Sequence, residues 1–337
     1  MLTGRILKIL KNSLISISVP LGVYIVFWLI CKLTGVVFID SDNFRSFIIN
    51  ASYVAFIGWG LFFNVPAGRF DFSVGAVILL APMIGGNIAL MLGLDAVGLV
   101  IVSILVGTVL GAISGLAYVL LRLPAMIVSL GVALIYEAFS FILFDGQGAV
   151  LVGNNKMLYI TQAPYIYILG AVILAILIVT VNYTKFGYNL RSLANGQIIS
   201  VNTGINETAN AIICYAICGA LSAVAGVMTL SRTGSASAST GLAVIMTMFQ
   251  GFLPMFIGGI LAKYSEPVTG ILLGAVTTSL ISSGIAAIGL PLSAQNIVNA
   301  FILLGFLVFA LNQYKFKEFA MIRKRKQDAI LKLGASL

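Results

Sequence analysis

Stretches of about twenty mostly apolar residues follow one another along the whole chain, each long enough to cross about 30 Å of hydrocarbon. This recurrence is the strongest constraint on the fold. Inside a bilayer every backbone amide and carbonyl needs an internal partner, so a chain built this way folds as a bundle of helices. The remaining composition agrees. Of 337 residues, 60% are hydrophobic and 9% are charged, against about 45–50% and 25% in an ordinary soluble domain. The 35 glycines suit closely packed transmembrane helices. The expected class is all-α: one polytopic membrane domain, with no room for a second, soluble one.

Ten spans are expected, at about 14–34, 44–63, 73–92, 97–121, 125–144, 164–182, 207–230, 243–261, 267–289 and 292–312. The first is too long for a signal-peptide core and lacks a small-residue cleavage site, so it reads as an uncleaved span. The formal charge of +9 is concentrated at the ends rather than arranged for nucleic acid. Arg5, Lys8 and Lys11 precede the first span, and seven basic residues follow Gln313. If the spans alternate from a cytoplasmic start, only Lys32, Arg45, Lys156 and Arg232 of the 19 basic residues fall outside. That bias places both termini in the cytoplasm. The expected layout is an N-terminus at 1–13, a ten-span core at 14–312 and a basic tail at 313–337.

One interruption stands out in this apolar chain. Between the second and third spans lies Asn64-Val65-Pro66-Ala67-Gly68-Arg69-Phe70-Asp71-Phe72-Ser73-Val74-Gly75. Pro66 lacks an amide proton and pushes Val65 away from the α region. Gly68 relaxes the backbone further. Asp71, with Ser73 behind it, can then cap the next helix. A helix that stops and restarts at membrane depth is tolerated where it is buried in protein or lines a water-filled cavity. Asn64, Phe70, Asp71, Phe72 and Ser73 are therefore candidate pathway residues; the plainer reading is a cytoplasmic loop with a surface Arg and a capping Asp.

A faint internal echo accompanies this break. Asn50-Ala51 and Leu61 in the second span match Asn210-Ala211 and Leu221 in the seventh, and each run ends near an Arg beside Gly and Ser. The two spans cross in opposite directions, so spans two to five and seven to ten form a candidate inverted repeat, a plan common among transporters.

Residues able to carry chemistry are few. The chain has no His, which excludes a Ser-His triad and argues against a metal site. It also lacks a glycine-rich loop ending in Gly-Lys-Ser/Thr, so it does not hydrolyse ATP by a P-loop. No catalytic residue is expected. Cys31, Cys214 and Cys218 lie in apolar runs and read as small packing residues. Glu137 lies mid-span, where an ionised carboxylate costs a few kcal/mol unless paired or wetted. It either faces a cavity and bonds a polar solute or is held by a structural partner. Gln250, Asn87 and Ser129 are weaker candidates, since isolated polar residues often tie helices together.

Residues 182–206 are polar, with helical potential and too few apolar residues to cross. Within them, Phe186-Gly187-Tyr188-Asn189-Leu190-Arg191-Ser192-Leu193-Ala194-Asn195-Gly196 continues to Gly204-Ile205. A short amphipathic helix at the membrane surface is either a handle for a cytoplasmic partner or an interfacial anchor. This stretch resembles, at the same length, the FGRxxxAxGGNxxAAxxSGI run of permease subunits of ribose/galactose-type ABC importers, within the branched-chain amino acid/ribose permease group. Gly68 to Gly75 resembles that family's GIDLSVG with one extra residue. Residues 209–232 and 268–275 are similar to later spans, so the likeness covers most of 45–312. Departures are Tyr188 in place of a basic residue, Ala194-Asn195-Gly196 in place of Gly-Gly-Asn, the run 258–266 in place of a glycine-rich turn, and Glu137 where members often have Arg.

The resemblance implies a type II ABC importer-like permease in a bacterial-type inner membrane. It implies a second permease subunit (homo- or heterodimer), two cytoplasmic ATPase subunits that hold the ATP and Mg, and an extracellular solute-binding protein. This chain would bind no cofactor itself. Segment 187–204 would be the ATPase coupling element, with Gly187, Tyr188, Arg191, Ala194, Asn195, Gly196 and Gly204 as its marked positions. The solute would be a simple sugar or a nucleoside. Two other classes stay open: an ion-coupled secondary transporter using Asp71 and Glu137, and a non-transporting scaffold.

Overall fold

The computed structural model describes residues 2–239, 241, 243–291, 293–295, 297–305, 308 and 312. The chain divides into two compact units, Met1–Leu290 and Pro291–Leu337, and every element named below belongs to the first. Most of the expected tenth span is described only in pieces, and the basic tail at 313–337 lies outside the described residues.

Nine helices among the described residues are long and apolar enough to cross a membrane. They arise as α1 (Leu2–Thr34), α2 (Ser41–Asn64), α3 (Ser73–Met91), α4 (Ala96–Leu121), α5 (Ala125–Ile142), α7 (Tyr165–Tyr183), α10 (Glu207–Thr233), the pair α11 (Ala243–Phe249) and α12 (Phe252–Leu261), and α13 (Pro267–Ala287). Short helices fill the connections: α6 (Asn155–Leu158), α8 (Lys185–Asn195) and α9 (Gln197–Asn202). Two dipeptide strands, β1 (Ala149–Val150) and β2 (Ser235–Ala236), pair antiparallel.

Helix α10 is the axis of the bundle. In its most apolar window 72% of residues are buried, against 17% for α1 and α7, which therefore stand at the periphery. It packs on α4, α2 and α3. The α4 seam is built from small residues at four-residue spacing. Gly107, Gly111 and Gly115 face Tyr215, Gly219 and Ala223, and a Cβ on Gly111 would stand 2.2 Å from the Tyr215 carbonyl oxygen. The two backbones touch, which suits a medium where association depends on close packing rather than on expulsion of water.

The contact pattern has the symmetry that the sequence echo suggested. Exchange α2 with α10, α3 with α11–α12, and α4 with α13. The α3–α4 contact then becomes α12–α13, α4–α10 becomes α13–α2, α3–α10 becomes α12–α2, and α2–α10 maps onto itself; all of these contacts are present. Leu61 and Leu221, the paired positions of the echo, are both buried.

The two ends of the bundle are distinct. At one end the Ser129 hydroxyl, early in α5, donates to the Phe70 carbonyl (3.2 Å), and Arg69 reaches Asn210 near the start of α10. The 65–72 break, the 122–124 turn and the α8–α9 segment therefore share that end. At the other end Leu151 N donates to Gly234 O (2.8 Å), and the Asn87 side chain donates to Gly148 O (3.0 Å). Asn87 thus ties a helix to a loop.

Candidate functional site

The expected break between α2 and α3 is present, and its geometry follows from the sequence. Helix α2 ends at Asn64, a single 3₁₀ turn covers Val65–Ala67, and Gly68 turns the chain at φ 77°, a region that favours glycine. Asn64 O accepts from Arg69 N (3.1 Å) and Val65 O from Gly68 N (2.9 Å). The start of α3 leaves amides without helical partners. One Asp71 carboxylate oxygen accepts from Ser73 N (3.0 Å) and from the Ser73 hydroxyl (2.6 Å). Asp71 thus acts two residues ahead, as an Asx motif does. The cap expected at Asp71 is displaced: Phe72 occupies the capping position with no side-chain bond, and Asp71, one residue earlier, holds only the first amide of α3.

The polar side chains of the break are buried in protein, while Pro66 and Gly68 are exposed. Arg69 is 2% and Asp71 3% exposed, and Asn64 and Ser73 are also buried. From Asp71 a run of hydroxyls crosses three helices. The Ser73 and Ser114 oxygens are 3.1 Å apart, Ser114 and Tyr136 3.3 Å, and the Tyr136 hydroxyl donates to Leu110 O (2.7 Å). On the other side one Arg69 nitrogen donates to Asn210 Oδ1 (3.3 Å), which also receives the Cys214 thiol (3.4 Å). Among the described residues, Arg69 Nε and Nη1, both polar atoms of Asn64, and Asn210 Nδ2 are buried without hydrogen-bond partners. A guanidinium keeps its proton in proteins. The buried side chains of the break therefore carry hydrogen-bonding capacity that suits water or a polar solute.

A second break faces the first. The sequence reading took 243–261 as one continuous span, but the helix stops at Phe249 and resumes at Phe252. The overlooked signal is Pro254, whose missing amide is the one that would have bonded the Gln250 carbonyl. Gln250 sits exposed at this interruption. Rings from both breaks meet: Phe70 stacks on Phe252 (5.8 Å), Phe72 lies edge-on to Phe249 (6.4 Å), and Phe249 lies 5.6 Å from Phe252. The structure thus gathers Asn64, Phe70, Asp71, Phe72 and Ser73 into one place and sets the second break, with Gln250, against it. Glu137 is buried on the turn of α5 that carries Tyr136, and its carbonyl accepts from Ser140 (2.6 Å).

The 187–204 segment packs against this site. Thr184 caps α8 by accepting from Gly187 N (3.2 Å). A Cβ on Gly187 would stand 2.1 Å from Val181 O, so only glycine lets α8 turn this closely under α7. Phe186 stacks on Phe63, the last ring of α2, at 6.1 Å and 22°, and α8 also touches the 65–67 turn. Arg191 lies over the Tyr188 ring and donates to Val181 O (3.0 Å), which anchors α8 to α7. The Ser192 and Ser200 hydroxyls, 2.8 Å apart, join α8 to α9, and Gln197 donates to Glu207 at the start of α10. Tyr188, Ala194, Asn195 and Ile198 are left exposed, Gly196 starts α9, and Gly204 turns the chain at φ 92°.

Two cavities escaped the sequence reading. One, of about 290 Å³, lies among α2, α3, α10 and α11, and its lining includes Tyr53, Thr229 and Thr247. Its polar residues include Ser235, Ser237 and Ser239 from the connection after α10; the available signal was Thr229 and Thr233, four apart and so on one face of α10. The other, of about 610 Å³, is lined by Arg45, Arg232, Asn155, Thr161 and Gln162, among others.

Comparison with known proteins identifies the family. Residues 43–310 match the model of the family described as the branched-chain amino acid transport system permease component. The chain is 24% identical to the D-allose transport system permease protein of Escherichia coli K12 over 253 residues, covering 72% of this chain and 77% of that protein. It is 24% identical to the ribose import permease protein of the same strain over 279 residues, covering 79% and 85%. It is 26% identical to the autoinducer 2 import system permease protein of Photorhabdus luminescens over 245 residues, covering 71% and 72%. With buried helix breaks inside nine apolar spans and a family match over most of its length, the chain belongs to the branched-chain amino acid transport system permease family.

Proposed function

We propose that this chain is the membrane-spanning subunit of an ATP-driven importer for a simple sugar. It would pair with a second permease subunit, engage two cytoplasmic ATPase subunits through α8–α9, and receive solute from an extracellular binding protein. The relatives named for allose and ribose support the solute class. The observation that carries the mechanism is the Phe63–Phe186 stack, which puts the surface segment in direct contact with the broken helix.

In this reading the exposed face of α8–α9 follows the ATPases as they close on ATP. Displacement of α8 pulls on Phe63 and the 65–67 turn, and through them on Phe70 and Phe72. These rings then part from Phe249 and Phe252 on the second break. A short α-helix transmits such a push because Arg191 and Gly187 hold it rigidly under α7. The termini and α8–α9 lie on the cytoplasmic side, in keeping with the distribution of basic residues.

The test is solute-stimulated ATP hydrolysis by the complex assembled from this chain, its ATPase and its binding protein. Tyr188→Ala with Asn195→Ala, which alter exposed side chains, are expected to cut stimulation about tenfold while the chain remains folded. Undiminished stimulation removes α8–α9 from coupling. Uptake that survives ATP depletion but collapses with an uncoupler would replace the ATPase mechanism with ion coupling at Asp71 and Glu137.

A further inference from the structure

The 290 Å³ cavity has a lining of unusual uniformity. Tyr53 of α2, Thr229 and Thr233 of α10, Ser237, Ser239 and Thr247 of α11 all contribute to it. None of its described lining residues is charged. The Tyr53 phenol and the Thr229 hydroxyl are hydrogen-bond partners, joining α2 to α10 in the cavity lining. Apolar groups, including Ile78, Leu79, Pro82 and Val244, supply the rest. On one side the wall is drawn in until backbones touch: a Cβ on Gly75 would stand 1.9 Å from Val244 O, and one on Gly226 2.1 Å from Ile78 O.

Its position is equally informative. Tyr53 lies eleven residues before Asn64, about 16 Å along α2 from the break. The cavity extends from mid-helix to the ends of α10 and β2, away from α8. Thr247 borders it, and two residues later Phe249 joins the ring cluster that closes toward the break. The neighbouring 610 Å³ cavity, by contrast, carries Arg45 and Arg232. The two differ in charge although both draw on the last turns of α10.

We propose that the cavity between α2, α3, α10 and α11 is a binding chamber for an uncharged polyhydroxylated solute and that it rejects acidic or phosphorylated analogues. Hydroxyls donate and accept at once, so a ring of them matches sugar hydroxyls of either sense. Apolar walls cover the C–H faces of a pyranose or furanose ring, as ligand sites generally combine apolar surface with a few placed polar groups. A carboxylate or phosphate entering the chamber would lose its hydration and meet no cation. The proposal rests on the permease reading and adds the residues that select the solute.

The test uses Thr247→Cys in the full chain in lipid nanodiscs, where the native cysteines are buried. Its reaction with a small uncharged thiol reagent is followed with D-ribose, D-allose and D-galactose, and with ribose 5-phosphate and galacturonate, at equal millimolar concentrations. At least one neutral sugar is expected to slow labelling fivefold or more, and both charged analogues to leave it unchanged. Adding Tyr53→Phe or Thr229→Val is expected to weaken that protection about fivefold, the loss of one neutral hydrogen bond. Uptake by the assembled complex is measured in parallel. Uptake of a neutral sugar without protection, or equal protection by its charged analogue, overturns the chamber and leaves the permease reading standing. Uptake of no solute overturns the permease reading itself.

Discussion

Arg69 is the residue at which stability and the proposed function can be set against each other. It is buried, it donates to the neutral Asn210, and two of its nitrogens have no hydrogen-bond partner among the described residues. A charge buried without an ionic partner carries a desolvation cost, which an apolar side chain of similar length removes. Arg69→Met is therefore expected to keep or raise the unfolding temperature in detergent while lowering solute uptake by the assembled complex at least tenfold. A lowered melting temperature with intact uptake would mark Arg69 as merely structural. Gly111 predicts the opposite. Leucine there would press the α4 backbone off α10 and cost about 1–3 kcal/mol, read as a lower melting temperature; Gly131→Ala, where a Cβ meets nothing within 4 Å, is the neutral control. Asp71 and Ser73 were legible in the sequence because a Pro, a Gly and a capping pair act locally. The contact of Arg69 with Asn210 was not, since 141 residues separate them.

Among the elements, α8 bears the sharpest expectation. Its ring pair with Phe63 contributes about 0.5–1.5 kcal/mol beyond area burial, small against the fold but placed on the proposed path of force. Phe186→Ala is expected to leave the melting temperature within a few degrees and to reduce solute-stimulated ATP hydrolysis severalfold; Phe186→Tyr, which keeps the ring, is expected to restore it. If both variants couple normally, the stack transmits nothing. The sequence revealed this element as a polar interruption of helical character, since amphipathicity is a local pattern. It did not reveal that Arg191 points back to Val181, because a cation on a surface helix has the same spacing whether it reaches outward or inward. The α11–α12 break was hidden for a related reason: its residues are apolar on both sides, and only Pro254 betrays the missing bond.

For the whole molecule, ten spans were expected from hydropathy; nine apolar helices among the described residues match nine of them in order and approximate bounds, except that α1 begins at Leu2, ahead of the expected 14. The pairing of α10 with α4 did not, because in lipid the contact face is marked by small residues rather than by polarity, and 35 glycines offer many such faces. The proposed orientation has its own test. Single cysteines at exposed Arg122 and Tyr188 are expected to react with an impermeant reagent from the cytoplasmic side, and one at Lys156 from the outer side. Labelling of all three from one side would refute the alternation of spans. One consequence follows from α10 itself. Near its start it holds Asn210 against Arg69, and near its finish Thr229 and Thr233 line the cavity. On the proposed path, where the break and the cavity are the two doorways, a single stiff rod touching both would behave as a see-saw: tilting it to widen one mouth would narrow the other, and one continuous helix would deny a leak through both at once.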